Sequence, residues 1–311
     1  MKNIKTKLIA VMLVVAVVMT GCMKQEEIFK ISKDGSATVV STVQISDEAL
    51  RKVMADTNGH EPTAVEYAEM ALSLKQQGFE KVDIEGKTYH KMTETQKMGN
   101  KELNASLNEK TTGYATGDTF YAYGKAEQEY GGMEAKDLGI SLDDEMLKEM
   151  EEIIILEFEE PIVNTNGVID PENPNKVTFN IDLSKKSYTV FATTKPGVTK
   201  ETVKATIKKL NTVNKSSVKK IKADKTKKKS KKASLTVSLK KVKGTKYQVQ
   251  YPKKKNMKGG KKVTFKKTTG KIKNLKKGTK YYVRVRAFKT NYAGKTVYSD
   301  WSKVKAKKTK K

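Results

Sequence analysis

The sequence predicts two domains of different class, an α+β domain followed by an all-β sandwich. Length is the first observation, because 311 residues exceed the size of one typical domain. Charge is the second: residues 23–197 carry a net charge of −13, whereas residues 198–311 carry +38. Patterning is the third, since the first part mixes helix and strand periodicities and the second shows strands alone.

Breaks in the pattern set the expected domain boundaries. A Pro-Gly pair at 196–197 interrupts the chain, and Thr199 after it is a suitable N-cap for a short helix. The expected parts, in order, are a leader (1–21), an acidic α+β domain (22–195), a linker with a short helix (196–215) and a basic sandwich (216–311).

The first 22 residues have the layout of an export signal. Three lysines precede an apolar run at 8–18, which is shorter than the roughly 20 apolar residues of a membrane-spanning helix. The run ends at residues 19–22, MTGC, which resembles the lipobox of bacterial lipoproteins, with Met19 where leucine is usual. The resemblance implies cleavage between Gly21 and Cys22 and attachment of a lipid to Cys22.

The cysteine count agrees with this interpretation. Cys22 is the single cysteine of the chain, and lipidation explains a lone cysteine in an exported protein. The alternative is an uncleaved N-terminal anchor helix in which the cysteine is incidental. We expect a protein on the extracellular face of the cell membrane, with the membrane as its partner through the lipid anchor.

The acidic part begins with a hairpin and two helices. Asp34 and Gly35 separate two alternating apolar segments, which is a strong hairpin signal. Ser46 and Thr63 are each followed by helical patterns and are expected to be N-caps. A Glu-Gly pair at 85–86 predicts a second hairpin.

The remainder of the acidic part is predicted to be mostly strands. The expected elements are strands at 119–123, 153–158, 176–183 and 188–192 and a helix at 142–151. Strands, then helices, then strands again predict an α+β domain. This order, with an Asp-Gly hairpin soon after Cys22 and a Pro-Ile-Val segment at 161–163, resembles the LppM-like domain of bacterial lipoproteins. The resemblance implies a cell-surface domain without established chemistry.

The basic part shows the alternation of a sandwich. Residues 235–239, 247–251 and 281–287 alternate apolar and polar side chains, so each is expected to bury one face. In the third of these segments Tyr281 faces the predicted core, whereas Tyr282 faces outward. Short strands separated by glycine-containing turns at this spacing predict a sandwich.

Two motifs in the basic part resemble the fibronectin type III family, an immunoglobulin-like sandwich. Leu275, Gly278 and Tyr281 match the corner where a tyrosine packs inward and its hydroxyl bonds to the backbone. Residues 298–302, YSDWS, are similar to the last strand. The chain departs from the family at Lys277, where proline is common, and at Leu239, where tryptophan is usual. The resemblance implies a spacer or binding module without a catalytic site.

Four outward-facing residues are the candidate binding residues of this module. They are Tyr282, Arg284, Arg286 and Trp301. In one interpretation the two aromatic rings form an exposed contact surface with an arginine stacked on it. In the other, tryptophan and arginine form a ladder that stiffens the sandwich.

Motifs for catalysis and metal binding are missing from the sequence. His60 and His90 lie in polar stretches, and no cysteine remains after lipidation to complete a zinc site. There is no Gly-x-Ser-x-Gly elbow and no glycine-rich phosphate loop. The acidic run at 143–152 lacks the spacing of a calcium-binding loop. We expect no enzymatic activity, no metal and no cofactor.

The positive charge of the basic part indicates its partners. The bases are nearly all lysine, which suits diffuse attraction rather than bidentate recognition, and the export signal argues against nucleic acid. The expected partners are anionic cell-wall polymers or host glycans. The Lys-rich composition resembles the fibronectin type III domains of Gram-positive gut anaerobes, and solubility is the alternative explanation of the charge.

The predicted function is that of a cell-surface lipoprotein of binding or structural type. One alternative is a substrate-capture lipoprotein of a transporter, but the folded part before the sandwich is small for a two-lobed receptor. Another is an enzyme with an accessory fibronectin domain, which the missing catalytic motifs disfavour. The sequence predicts no oligomeric state.

Overall fold

A computed structural model describes residues 23–109, 111–125, 129–130, 133–134, 151–185, 187–225 and 232–310. Gly21, Cys22 and the helix predicted at 142–151 lie outside these residues, except that Glu151 begins a strand instead of ending a helix. The chain divides into two compact units, Met1–Val203 and Lys204–Lys311. Among the described residues, none of the helices is long and apolar enough to cross a membrane.

The N-terminal unit mixes strands and helices along its length. Its described elements are β1 (Met23–Ile31), β2 (Ala37–Ser46), α1 (Asp47–Asn58), α2 (Ala64–Gln76), β3 (Glu80–Ile84), β4 (Lys87–Met98), α3 (Asn100–Leu107), β5 (Thr112–Ala115), β6 (Thr119–Lys125), β7 (Glu129–Tyr130), β8 (Met133–Glu134), β9 (Glu151–Phe158), β10 (Asn164–Thr165), β11 (Val168–Ile169), β12 (Lys176–Ile181) and β13 (Ser187–Thr193). Helix α4 (Lys200–Asn211) then contains the boundary between the units.

Two sheets and three helices enclose the core of this unit. Seven strands form the larger sheet in the order β11-β12-β9-β1-β2-β4-β3, and four form the smaller one in the order β10-β13-β6-β5. Within the larger sheet β1 pairs with β9 in parallel, although more than a hundred residues separate them in the chain. The α+β class predicted from the sequence is confirmed.

One face of the larger sheet carries two hydrophobic clusters. The period-two alternation of β2 places Val39 and Ile45 on the same face. Val39 belongs to the cluster that packs on the smaller sheet, with Phe120 and Val190. Ile45 belongs to the cluster that packs beneath α1 and α2, with Leu50 and Leu74, and burial of each such side chain stabilises the fold by about 1.5–3 kcal/mol.

Helices α1 and α2 begin at the predicted caps. The Ser46 hydroxyl accepts a hydrogen bond from the amide of Ala49 at 3.1 Å. Thr63 and Glu66 form a reciprocal capping box, in which each side chain bonds the other residue's backbone N–H. The hairpin predicted at Asp34 and Gly35 joins β1 to β2, so the local turn and cap signals are confirmed.

Helix α3 was not predicted, and asparagine side chains attach it to β5. The Asn104 side chain is 2% exposed and bonds both backbone groups of Ala115, donating to its carbonyl at 2.8 Å and accepting from its amide at 2.9 Å. Asn108, one turn later, donates to the carbonyl of Gly113 at 2.7 Å. These side chains satisfy backbone groups of β5 that lie toward the helix.

The C-terminal unit consists of strands after α4. They are β14 (Val218–Ala223), β15 (Lys232–Leu239), β16 (Lys246–Gln250), β17 (Lys262–Phe265), β18 (Thr269–Lys276), β19 (Lys280–Thr290), β20 (Thr296–Tyr298) and β21 (Lys305–Lys308). One sheet has the order β14-β15-β18, and the other has the order β17-β16-β19-β20, with β21 also paired to β19. The predicted sandwich is confirmed.

The core of the sandwich follows the predicted alternation. In β19 the side chains of Tyr281, Val283, Val285 and Ala287 are buried, and those between them are only partly buried. The buried ones pack with Leu235, Val237, Val249 and Ile272 from the other strands. This alternation leaves one row of β19 side chains outside the core, and Arg284 and Arg286 belong to that row.

Candidate functional site

The turn between β18 and β19 positions the predicted corner residues. The Tyr281 ring is 6% exposed, and its hydroxyl accepts a hydrogen bond from the amide of Lys276 at 3.0 Å. Leu275 is buried beside it in the same core cluster. Gly278 has a φ of +60°, a left-handed conformation that favours glycine. The hydroxyl of Tyr281 therefore fixes the backbone that leads into β19.

Two serines fix the segment 298–302 against β19. The Ser299 hydroxyl accepts from the amide of Ala287 at 3.0 Å, while its own amide donates to the carbonyl of Ala287 at 2.9 Å. Ser302 repeats this pattern with Val285, at 3.0 Å and 2.8 Å. Each serine thus forms two hydrogen bonds with the backbone of one residue of β19, one through its hydroxyl and one through its amide. The two attachment points flank Trp301 and hold it beside the outward row of β19.

The outward row forms a ladder of cations and rings. The guanidinium carbons of Arg284 and Arg286 lie 4.5 Å and 4.7 Å from the centroid of the Trp301 ring. Arg286 also lies 3.7 Å from the ring centroid of Tyr298. These distances are within the roughly 6 Å range of a favourable cation–π contact. The four side chains therefore form a continuous stack.

Glutamines on the neighbouring strand orient the two arginines. The Nε of Arg284 donates to Gln250 Oε1 at 2.8 Å, and the Nε of Arg286 donates to Gln248 Oε1 at 3.0 Å. Both glutamines lie on β16 directly opposite their arginines. Because each guanidinium group stacks on a ring and donates through its Nε to a glutamine, the contacts favour the interpretation in which the ladder stiffens the sandwich.

The structure brings together three of the four predicted binding residues. Arg284, Arg286 and Trp301 join in the ladder, whereas the ring of Tyr282 has Lys280 above it at 5.6 Å. Tyr298 belongs to the ladder and was missed as a site residue. Its position in the YSDWS segment, three residues before Trp301, was the available signal.

A partly buried polar cluster around His90 in the N-terminal unit was also missed. His90, which the sequence places in a polar stretch, is 3% exposed, and its Nε2 lies 3.3 Å from Oδ1 of Asp47. The Tyr67 hydroxyl donates to Asp47 and lies 3.2 Å from the same histidine nitrogen. Arg51 covers the Tyr67 ring at 3.8 Å. The alternation of β4, which puts His90 on the face of Met92, was the available signal.

Burial and charge shift the pKa values in this cluster in a consistent way. Burial lowers the pKa of His90 and outweighs the attraction of Asp47. Burial acts to raise the pKa of Asp47, but the hydrogen bond from Tyr67 and the charge of Lys81 outweigh it and leave that pKa below its usual value. Burial and Asp47 together raise the pKa of Tyr67 to about 12. The arrangement therefore pairs an ionised Asp47 with a neutral imidazole.

Two glutamates interrupt the apolar face of the larger sheet. Alternation puts Glu27 on the face of Phe29, and Glu152 on the face of Ile154 in the adjacent strand. Burial, and then the negative charge of Glu27, raise the pKa of Glu152 to about 7. Burial likewise raises the pKa of Glu27. In the described part of the chain, no group of three or more His, Cys, Asp or Glu residues is arranged to hold a metal ion.

We predict that Arg286→Lys destabilises the C-terminal unit by about 1–2 kcal/mol, because lysine keeps the charge but cannot stack a planar group on two rings. Urea unfolding followed by fluorescence measures this loss, and Trp301, the single tryptophan, reports directly on the ladder. Lys246→Gln, which removes an exposed charge from β16, is the control and should leave the stability within about 0.5 kcal/mol. Equal stability of Arg286→Lys and wild type would contradict a stabilising ladder.

We predict that Glu152→Gln stabilises the protein above neutral pH. The pKa of the Glu152 carboxyl is about 7 in the folded protein and 4.5 in the unfolded chain. Below pH 4.5 the carboxyl is protonated in both states and does not reduce the free energy of unfolding. This free energy falls as the pH rises through the folded pKa of about 7. The substitution should therefore add about 1–3 kcal/mol near pH 8 and little near pH 4.5. Urea unfolding at both pH values tests this.

Glu151→Gln is the matched control for this prediction. Glu151 is the neighbouring residue, its side chain is 64% exposed, and it pairs with Lys24 at the surface. Its replacement should change the stability little at either pH. A gain from Glu152→Gln that does not depend on pH would show that its ionisation is not the cause.

A family model agrees with the architecture of the C-terminal unit. Residues 216–304 match the family model of the Fibronectin type III domain. The chain is similar to fibronectin domains FN1 to FN3 of chicken CNTN1, at 13% identity over 94% of this chain and 99% of that chain, with a TM-score of 0.26. It is also similar to the folded domain of Mycobacterium tuberculosis LppM, at 12% identity over 57% of this chain and 94% of that chain, with a TM-score of 0.32. No curated protein matches the chain. The family match confirms a fibronectin type III sandwich in the C-terminal unit.

Proposed function

We propose that this protein is a lipoprotein, anchored through Cys22 to the outer face of the cell membrane, whose basic fibronectin type III module binds anionic polymers. The polymers are those of the cell wall or the glycans of a host surface. In this proposal the N-terminal unit follows the anchor directly, and the basic module supplies the binding surface.

The uncompensated charge of the module carries this proposal. Residues 204–311 hold 40 lysines and arginines but only two acids, Asp224 and Asp300. Lys271 pairs with Asp224 at 3.3 Å, and Lys215 pairs with Asp300 at 2.8 Å. With so few acids in the unit, most of its ammonium groups lack an internal carboxylate partner. A surface of this kind attracts polyanions through a long-range potential.

The sequence before Met23 supports the location. A basic leader, a short apolar run and the MTGC segment precede the first described strand. Because β1 begins at Met23, only the lipid-bearing residue separates the proposed anchor from the folded N-terminal unit. A polyanion-binding module on such an anchor would hold the protein between the membrane and the polymer layer outside it.

We predict that the full chain, purified in detergent, binds isolated cell wall and loses at least about tenfold in affinity between ~50 and ~200 mM salt. Release of counterions from a charged polymer is the physical reason for this dependence. Co-sedimentation measures it, and wall from which the anionic polymers have been stripped is the control. Equal sedimentation with stripped wall, or no binding at low salt, would overturn the polyanion-binding role.

We predict that Cys22→Ser abolishes lipid labelling and moves the protein from the membrane fraction to the soluble fraction, because serine offers no thiol for lipid attachment. Metabolic labelling with a fatty acid and cell fractionation measure both effects. Met19→Leu, which restores the usual lipobox residue, is the matched control and should be labelled at least as well as wild type. Labelling that survives in Cys22→Ser would disprove attachment at this residue.

A further inference from the structure

A cleft of about 820 Å³ opens in the C-terminal unit, away from the arginine ladder's rings. One wall is the loop between β16 and β17, and the other is the end of β18 with the start of β19. Six lysines line it: Lys253, Lys254, Lys258, Lys261, Lys273 and Lys276. Strand β17 and the first half of β18 separate its two walls in the chain, so the cleft exists only in the folded sandwich.

The six lysines have no carboxylate partner among the described residues. The two acids of the unit pair with Lys271 and Lys215, which lie outside the cleft. All six side chains are exposed. Like charges held around a concave surface repel one another and concentrate the positive potential there. An anionic ligand would relieve this repulsion.

The backbone of the first wall is held in place at its ends and its centre. The amide of Tyr251 donates to the carbonyl of Lys261 at 3.0 Å, and the amide of Tyr282 donates to the carbonyl of Pro252 at 2.9 Å. At the centre, Met257 is buried, and its carbonyl accepts from Gln250 Nε2 at 3.2 Å. Lysines on this loop therefore project from a fixed backbone, which lowers the entropy cost of binding.

Close packing reinforces the loop. A Cβ atom at Gly260 would lie 2.8 Å from Cδ of Pro252 and 2.9 Å from Cγ of Gln250, so only glycine fits. Gln250 also accepts from Arg284, which connects the loop to the ladder. The second wall is fixed by the hydrogen bond from the amide of Lys276 to the hydroxyl of Tyr281. Both walls are therefore attached to β19, the first through Tyr282 and the second through Tyr281.

Less polar side chains lie among the lysines that line the cleft. Tyr251, Pro252 and Leu275 line it between the lysines. An aromatic ring with flanking cations suits a sugar ring that carries anionic groups, because the sugar's C–H face packs on the ring and the anions reach the ammonium groups. A lysine is a point charge with rotating donors, so it accepts phosphate and sulfate alike.

We propose that this cleft is the binding site for an anionic glycan, with its phosphate or sulfate groups on the six lysines and a sugar ring on Tyr251. This inference rests on the proposed function, since it replaces diffuse attraction by a defined site. The test compares two triple variants of the full chain that lose the same charge. Lys254→Gln, Lys258→Gln and Lys273→Gln remove lysines from both walls of the cleft.

The matched control removes three exposed lysines at the opposite end of β16. These substitutions are Lys240→Gln, Lys241→Gln and Lys243→Gln, before β16 begins at Lys246. Binding to a sugar-containing phosphate polymer and to heparin is measured near 100 mM salt. We expect at least about tenfold weaker binding for the cleft triple and less than about threefold for the control. The polymer that wild type binds with the higher affinity shows whether the cleft prefers phosphate or sulfate groups.

The outcomes separate this inference from the proposed function. If wild type binds neither polymer, the polyanion-binding role fails as well. If wild type binds and the two triples weaken equally, the cleft is overturned and diffuse attraction remains. Acetylation footprinting of wild type adds a measurement that needs no variant: the bound polymer should protect Lys258 and Lys273 more than Lys241. Equal protection would also overturn the cleft.

The sugar contact has its own test. Tyr251→Leu keeps an apolar side chain but removes the ring, so it should weaken binding of the sugar-containing polymer and leave binding of sugar-free polyphosphate unchanged. Unfolding followed by Trp301 fluorescence checks that the variant is folded. If Tyr251→Leu weakens binding of the sugar-containing polymer and of polyphosphate equally, the ring of Tyr251 does not contact a sugar.

Discussion

The solvation of lysine governs the structure of the C-terminal unit. With 40 bases and two acids, nearly every ammonium group must remain in water, because burial of an unpaired charge costs far more than any one contact returns. Strict alternation meets this requirement. In β15 and β19 every second side chain is buried, so the apolar set forms one core and the lysines remain on edges, loops and outer faces. The unit is therefore stabilised by its hydrophobic core and by polar contacts that do not involve carboxylates.

The two arginines of the unit show how such contacts arise. Arg284 and Arg286 stack on Trp301 and bond to glutamines, and neither arrangement requires a carboxylate. A guanidinium can do this because it is planar and weakly hydrated, whereas an ammonium group keeps its water. The two kinds of basic residue therefore differ in role: the arginines connect the sheet to segment 298–302, and the lysines remain in contact with solvent. This difference is the reason why we propose the lysine cleft, and not the ladder, as the site for a polyanion.

Local signals predicted much of this fold, and non-local pairing explains what they missed. Hairpin turns, the caps at Ser46 and Thr63, and the alternation of β19 depend on neighbouring residues and were predicted correctly. The parallel pairing of β1 with β9 joins distant segments and leaves no local signal. Helix α3 was missed because the contacts that attach it to β5, such as those of Asn104 with Ala115, are not visible in the local sequence pattern. The buried position of His90 depends on which face of β4 packs beneath the helices. The cleft likewise needs two walls that only the sandwich brings together.

Compared with the lysines of the C-terminal unit, the acidic side chains of the N-terminal unit have different surroundings. Its surface acids often have a basic partner, as in the Lys24–Glu151 and Lys30–Glu157 pairs across β1 and β9. On the opposite face of the same two strands, Glu27 and Glu152 are partly buried on the side of the core, and burial favours their protonated forms. The alternation of a strand thus gives adjacent glutamates different surroundings: Glu151 pairs with Lys24 at the surface, whereas Glu152 lies on the face of the core. The negative charge of Glu27 adds to the effect of burial on Glu152, because two carboxylates on neighbouring strands repel each other and protonation of one removes that repulsion.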